Sequence, residues 1–264
     1  MTQPRAPDAT PVAAGGRVRL ERDGPTARIT LSNPGKLNAM TRAMWRELRA
    51  HAQALQASNA RCVLICGEAD AFCAGGDIAE YPAFRFDEAS LREFHEDDVW
   101  GALSALIACD VPMVAAIGGA CMGAGMEIAS CCDIRIATRG SRFGAPIAKL
   151  GFPMAPREAA LVARAAGERT AREMLLAAAV FDAAQMQERG FLSEVVDDAQ
   201  FDAAAARWTE RIASLAPQAA RMNKATLRAL GSGQMPDRPY GYADSAEHRE
   251  GVAAFIAKRT PRFD

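Results

Sequence analysis

Two glycine-bearing segments carry the residues that could do chemistry. The first, AFCAGGDI (Ala71 to Ile78), follows the apolar run CVLIC (Cys62 to Cys66) with only Gly67 to Asp70 between them. The second, GGACMGAGMEIASCCDI (Gly118 to Ile134), follows the apolar run MVAAI. Glycine lets a peptide N–H point into a cavity that a larger residue would close. Taken alone, Gly75-Gly76 is an ordinary turn. The second segment gives the first more weight. Its loop runs into a helix, whose first turn leaves N–H groups unpartnered and offers the favourable end of the helix dipole to negative charge. Two such loops can aim two donors at one oxygen.

The elements that must position these loops are legible in the hydrophobic spacing. Val18 to Glu21 and Ala27 to Leu31 flank the turn signal Asp23-Gly24-Pro25 and predict a hairpin. A helix should start at Thr41, which can cap it, with Met44, Leu48, Ala52 and Leu55 on one face. CVLIC is continuously apolar, as suits a parallel strand covered on both sides. Phe94, Val99, Leu103 and Leu106 predict a second helix over Leu91 to Ala108, closed by Asp110-Val111-Pro112. After the second glycine loop come a short apolar helix through Glu127, Ile128 and Ala129 and a strand, Asp133 to Ala137. Strands alternating with helices argue for parallel pairing and an α/β fold. Beyond Pro156 the chain reads as helical, broken near Gly167, Gly190 and Pro217, with strand signal only at Glu194 to Val196. GSGQMPDRPYGY (231 to 242) reads as a loop, and Ser245 should start a final helix carrying Val252, Phe255 and Ile256.

Composition excludes several classes of function. The chain has 264 residues, half of them hydrophobic, and a formal net charge of -1 from 31 basic and 32 acidic residues. No global field favours nucleic acid or an anionic membrane, so a polyanionic ligand must be met locally. The longest uncharged stretch, Val111 to Met126, is shorter than the roughly 18 residues of a membrane span and is broken by glycines. The first residues, MTQPRAPDATPVAAGG, lack an apolar signal-peptide region and read as a mobile tail over residues 1–16. Seven cysteines with no C-x-x-C pair, in apolar surroundings, suit a reducing cytoplasm. His51, His95 and His248 are too scattered for a metal pattern, and His95 reads as a surface residue; no metal is implied.

Four motifs stand in one order: NPGKLNAM (33 to 40), AFCAGGDI (71 to 78), GAGMEIASCCDI (123 to 134) followed by FGAPIAKLG (143 to 151), and SAEHREGVAAFIAKRTPRF (245 to 263). On these the sequence resembles the crotonase, or enoyl-CoA hydratase/isomerase, family from about Val18 to Phe263. The resemblance implies an α/β crotonase-type ββα spiral over 17–198 and a helical C-terminal trimerisation region over 199–264. It also implies a homotrimer or dimer of trimers acting on an acyl-CoA or enoyl-CoA thioester. Coenzyme A would then be part of the substrate, and no permanently bound cofactor is expected. By the same match the backbone N–H groups of Gly76 and Ala124 form an oxyanion hole that stabilises a thioester enolate, each such donor contributing about 3 to 4 kcal/mol in the transition state. Glu127 falls on the first of the two hydratase glutamates, as acid/base; its other reading is a residue that complements the helix dipole.

The sequence departs from the family pattern at the second hydratase glutamate, where Ile147 stands, and at the acidic position of some isomerases, where Ala155 stands. Two charged residues nearby could compensate: Glu158, in the first turn of a helix opened by Pro156, reads as a dipole-complementing residue or as a replacement for the missing glutamate, and Lys149 as a solvated or ion-paired one. A lone Glu127 suffices to move a double bond between the 3 and 2 positions of an enoyl thioester, so isomerisation is the leading alternative to hydration. A non-catalytic CoA-thioester-binding protein is the reading from another class. The match places Lys36, Ala74, Ile78, Phe255 and Lys258 at the coenzyme. Phe255 also reads as core and Lys258 as solvated. Ala79 stands where several relatives carry a phosphate-contacting lysine. The acyl pocket should be lined by the segment from Tyr81 to His95, which shows no interpretable pattern.

Overall fold

The structure, a computed structural model, describes residues 15–263; most of the expected tail, residues 1–14, lies outside the described residues. Strands β1 (Arg17–Asp23) and β2 (Thr26–Ser32) form the expected antiparallel hairpin. Helix α1 (Arg42–Gln56) starts where Thr41 Oγ1 accepts from the Met44 N–H at 3.2 Å, and it buries Met44, Leu48, Ala52 and Leu55 together with Trp45. Strand β3 (Cys62–Gly67) follows. The predicted helix over 91–108 begins earlier and is interrupted: α2 (Glu88–Glu93) passes through a π-helical turn, Phe94–Val99, into α3 (Trp100–Ala108). The five-residue gap between Phe94 and Val99 suits i→i+5 bonding and not a 3.6-residue period.

Next come β4 (Met113–Ile117), β5 (Ala120–Met122), α4 (Ala124–Ser130), β6 (Ile134–Thr138) and β7 (Arg142–Gly144). A 3₁₀ turn (Pro146–Leu150) leads to α5 (Pro156–Ala166), α6 (Glu168–Ala177), β8 (Val180–Asp182), α7 (Ala183–Glu188) and β9 (Glu194–Val196). The chain ends in α8 (Phe201–Ala213), α9 (Pro217–Gly231) and α10 (Ala246–Ile256), the last capped by Ser245 as expected. The main sheet runs β1-β2-β3-β4-β6-β9, parallel from β2 onward, and a second sheet runs β5-β7-β8. The sequence reading missed the second sheet, β8 included, because three-residue strands are too short to show a period of two.

The main sheet is covered on both faces, which is why its strands are continuously apolar. Val63, Ile65, Met113, Ala115 and Ile117 point to one face and join Leu48 and Leu55 of α1 and Leu103 and Leu106 of α3 in the larger core. Their alternates, Leu64, Val114 and Ala116, point to the other and meet Ala204, Ala205 and Ala213 of α8. Each fully buried Leu or Ile here contributes about 1.5–3 kcal/mol. Helix α8 thus belongs to the packed body, although it falls after the boundary read at residue 199.

Helix α9 is different: it buries none of its residues, and it faces the body with cations. Arg221 donates to the carbonyls of Ser58 and Ala60 at 2.7 and 3.0 Å, and Lys224 to that of Val111 at 2.9 Å. Its leucines, Leu227 and Leu230, are exposed, as are Val252, Phe255 and Ile256 of α10, which had been read in part as core. All seven cysteines are free and buried, as their apolar surroundings suggested. No helix among the described residues is long and apolar enough to cross a membrane.

Candidate active site

The two glycine loops lie side by side because a short ladder joins them. The Cys73 N–H donates to the Ala120 carbonyl at 2.8 Å, and the Met122 N–H returns to the Cys73 carbonyl at 2.9 Å. On its other edge the first loop is braced by Met40, whose N–H donates to the Gly75 carbonyl while its own carbonyl accepts from the Asp77 N–H, both at 2.8 Å. The second loop reaches α4 through Gly123, at φ +47, a left-handed conformation that favours glycine. Gly125 permits the approach of the helix to the first loop: a Cβ there would sit 2.5 Å from the Cys73 carbonyl oxygen. Among the described residues the amides of Gly76 and Ala124 donate to no protein acceptor.

Gly76 and Ala124 both line a cavity of about 310 Å³. Ala74 and Ile78 border it on the first loop, Glu127 on α4, and Ile147 and Lys149 on the 3₁₀ turn. Tyr81, Arg85, Phe94 and His95 line it from the segment after the first loop, as the resemblance implied, and Phe152 and Glu158 close it from the far side. A Cβ on Gly76 would collide with Tyr81 Oη, so that hydroxyl lies against the backbone of the first loop.

Glu127 is 7% exposed, and burial pushes its carboxyl well above the ordinary carboxylate value. The charge of Glu158 adds to the rise, and Arg85 acts against it. The Arg85 guanidinium is stacked 3.8 Å from the ring centroid of Phe152 and 4.4 Å from that of Tyr81. Burial lowers the pKa of this guanidinium and raises that of the Tyr81 phenol.

Two residues depart from the sequence reading. Glu158 stands in the first turn of α5 as expected, but it is 2% exposed and borders the cavity. The reason is the helical period of α5, which puts Glu158 on one face with the buried Leu161, Val162 and Ala166. His95, expected at the surface, lines the same cavity, and its Nδ1 lies 2.9 Å from Glu158 Oε1. The π-helical turn carries it there, next to the buried Phe94. Lys149 is exposed at the rim.

The residues expected at the coenzyme are not all brought together. Lys36 pairs with Asp77 at 2.6 Å, beside the first loop. Phe255, 85% exposed, and Lys258 lie on and just after α10 and do not border the cavity of this chain. Among the described residues no cluster of three or more His, Cys, Asp or Glu side chains could hold a metal ion.

Known proteins resemble this chain over nearly its whole length. The chain is 34% identical over 256 residues to a Mycobacterium tuberculosis protein named probable enoyl-CoA hydratase, covering 93% of this chain and 97% of that one. A solved enoyl-CoA hydratase/carnithine racemase from Magnetospirillum magneticum superposes with a TM-score of 0.89 at 35% identity, over 94% of this chain and 95% of that one. An enoyl-CoA hydratase from Bacillus anthracis superposes with a TM-score of 0.86 at 25% identity, over 94% and 98%. The family model for enoyl-CoA hydratase/isomerase matches residues 21–264. The chain therefore belongs to the enoyl-CoA hydratase/isomerase family and is an enzyme of that family.

Proposed function

We propose that the protein binds an acyl-CoA or enoyl-CoA thioester, holds the thioester carbonyl between the amides of Gly76 and Ala124, and moves protons at the adjacent carbons with Glu127. The observation that carries this reading is the pair of unpartnered amides on two hydrogen-bonded loops, at residues lining the cavity that Glu127 borders. Oxygen gains negative charge as the enolate forms, and donors already aimed at it need no reorganisation. A buried carboxyl with a raised pKa exchanges a proton with carbon more readily near neutral pH than an ordinary carboxylate does. The mostly apolar lining keeps bulk water from competing for the charge.

Ile147 in the cavity wall favours a second reading of the reaction itself. With Glu127 as sole acid/base, the site moves the double bond of a 3-enoyl thioester to the 2 position without using water. Incubation with crotonyl-CoA and with a 3-enoyl-CoA, followed by the absorbance of the conjugated thioester, separates the two. Either turnover should fall about 100- to 10,000-fold in Glu127→Gln. Binding of acyl-CoA thioesters with no turnover of any would replace catalysis by a carrier role.

The strand and helix order is read as the family's spiral. The outward leucines of α9 and the apolar residues of α10 are read as the contact with two further copies of the chain. Phe255 and Lys258 would then serve the site of a neighbour. Sedimentation of the full chain as a monomer would remove that part of the reading.

A further inference from the structure

Helix α5 opens with Pro156 at its first position, and its buried face starts at Glu158. A carboxylate on an otherwise apolar face is costly unless it is paired or has a partner in the cavity it meets. The hydrogen bond the structure gives it is the one from His95 Nδ1, at 2.9 Å. Outside this pair, Arg157 of the same turn bonds Glu96 at 2.9 Å, so two neighbouring contacts clamp α5 to the π-helical turn. The imidazole thus occupies Oε1 of Glu158 and fixes its rotamer, and the pair borders the same cavity as Glu127. Glu158 is near enough to Glu127 for its charge to act on that carboxyl, and with Ile147 at the position of the family's second glutamate these two are the carboxylates among the described residues that line the cavity.

We propose that Glu158 is the second proton-transfer group of this site, held by His95 as a positioning residue, and that the enzyme uses the two glutamates to add water to a 2-enoyl thioester. The inference rests on the enolate reading above. The water oxygen bonds to the β-carbon of the enoyl group and gives one proton to Glu158. The double-bond electrons move onto the thioester, whose oxygen lies at the amides of Gly76 and Ala124. Glu127, in its protonated form, then gives its proton to the α-carbon as the enolate collapses to a 3-hydroxyacyl thioester. The proton on Glu158 passes through solvent to restore Glu127.

Two assays on the full-length protein separate the roles. Hydration of crotonyl-CoA needs both glutamates, whereas exchange of the α-protons of butyryl-CoA with deuterium oxide needs one base and the two amides. In Glu158→Gln, hydration should fall at least about 100-fold while exchange falls less than about 10-fold. His95→Gln, which keeps an N–H donor, should retain most of the hydration rate. His95→Leu should lose about 10-fold or more in kcat with KM little changed, the pattern of a group that acts on the transition state. If Glu158→Gln hydrates at the wild-type rate, or loses both activities equally, the proposal is overturned. Wild-type protein that exchanges but does not hydrate overturns it too while leaving the enolate reading intact. If wild-type protein exchanges no α-proton, the enolate reading itself is wrong.

Discussion

The two walls of the cavity are built on different principles. On one wall the groups proposed to act are peptide amides, those of Gly76 and Ala124, held by a ladder between two loops and by the start of α4. On the other they are side chains, Tyr81, Arg85, His95 and Glu158, drawn from a 3₁₀ turn over Ile78–Ala83, the loop after it, the π-helical turn and the first turn of α5. The amide wall depends on backbone shape and tolerates many side chains. The side-chain wall depends on a few identities, Glu158 and Ile147 among them. Glu127 sits between them, anchored on the amide wall but with its proton affinity raised first by burial and then by Glu158.

The larger of two effects that test this contrast comes from breaking the amide wall alone. Ala124 is the first residue of α4, a position where a missing N–H costs no intrahelical bond and where the fixed φ of proline suits the helix. Ala124→Pro should therefore keep the helix and delete one donor, with a loss of about 100- to 1,000-fold in kcat for both hydration and α-proton exchange. Circular dichroism of the variant checks that the fold is retained. A variant that folds and keeps its rate would show that this amide does not face the reacting oxygen, and the contrast between the walls would disappear.

The contrast also explains what the sequence makes legible. Gly75-Gly76 and Gly123-Ala124-Gly125 announce the amide wall, because a left-handed φ at Gly123 and a close approach at Gly125 demand glycine, and glycines are visible in a sequence. The parallel strands were legible for the same kind of reason: burial on both faces forces a continuous apolar run such as CVLIC. The side-chain wall sends no such signal. His95 and Glu158 are 63 residues apart and meet only after folding. The usable clues were local, namely the five-residue gap between Phe94 and Val99 and the placement of Glu158 three and four residues before Leu161 and Val162. The small second sheet was missed because its strands are three residues long, and the exposure of Phe255 because helical spacing marks an apolar residue without saying which surface covers it.

A smaller effect sharpens the comparison from Glu127, the carboxyl between the two walls. Because the folded-state pKa of Glu127 is raised above its unfolded value, the unfolded chain releases this proton first as pH rises. Folding stability from this group is fully present below the ordinary carboxylate range and is lost progressively until the folded-state value is passed. Glu127→Gln removes the titration while keeping the shape. The variant should match wild type in acid and melt above it as pH rises, with the gap levelling off once Glu127 is ionised in both states. In a chain of this size each kcal/mol of the gap corresponds to about 2–4 °C in Tm. Thermal melts of both proteins between the carboxylate range and mildly alkaline pH measure it. A gap that does not change with pH would mean that Glu127 titrates like a solvated carboxylate, and the carboxyl between the two walls would then hold no proton ready for carbon.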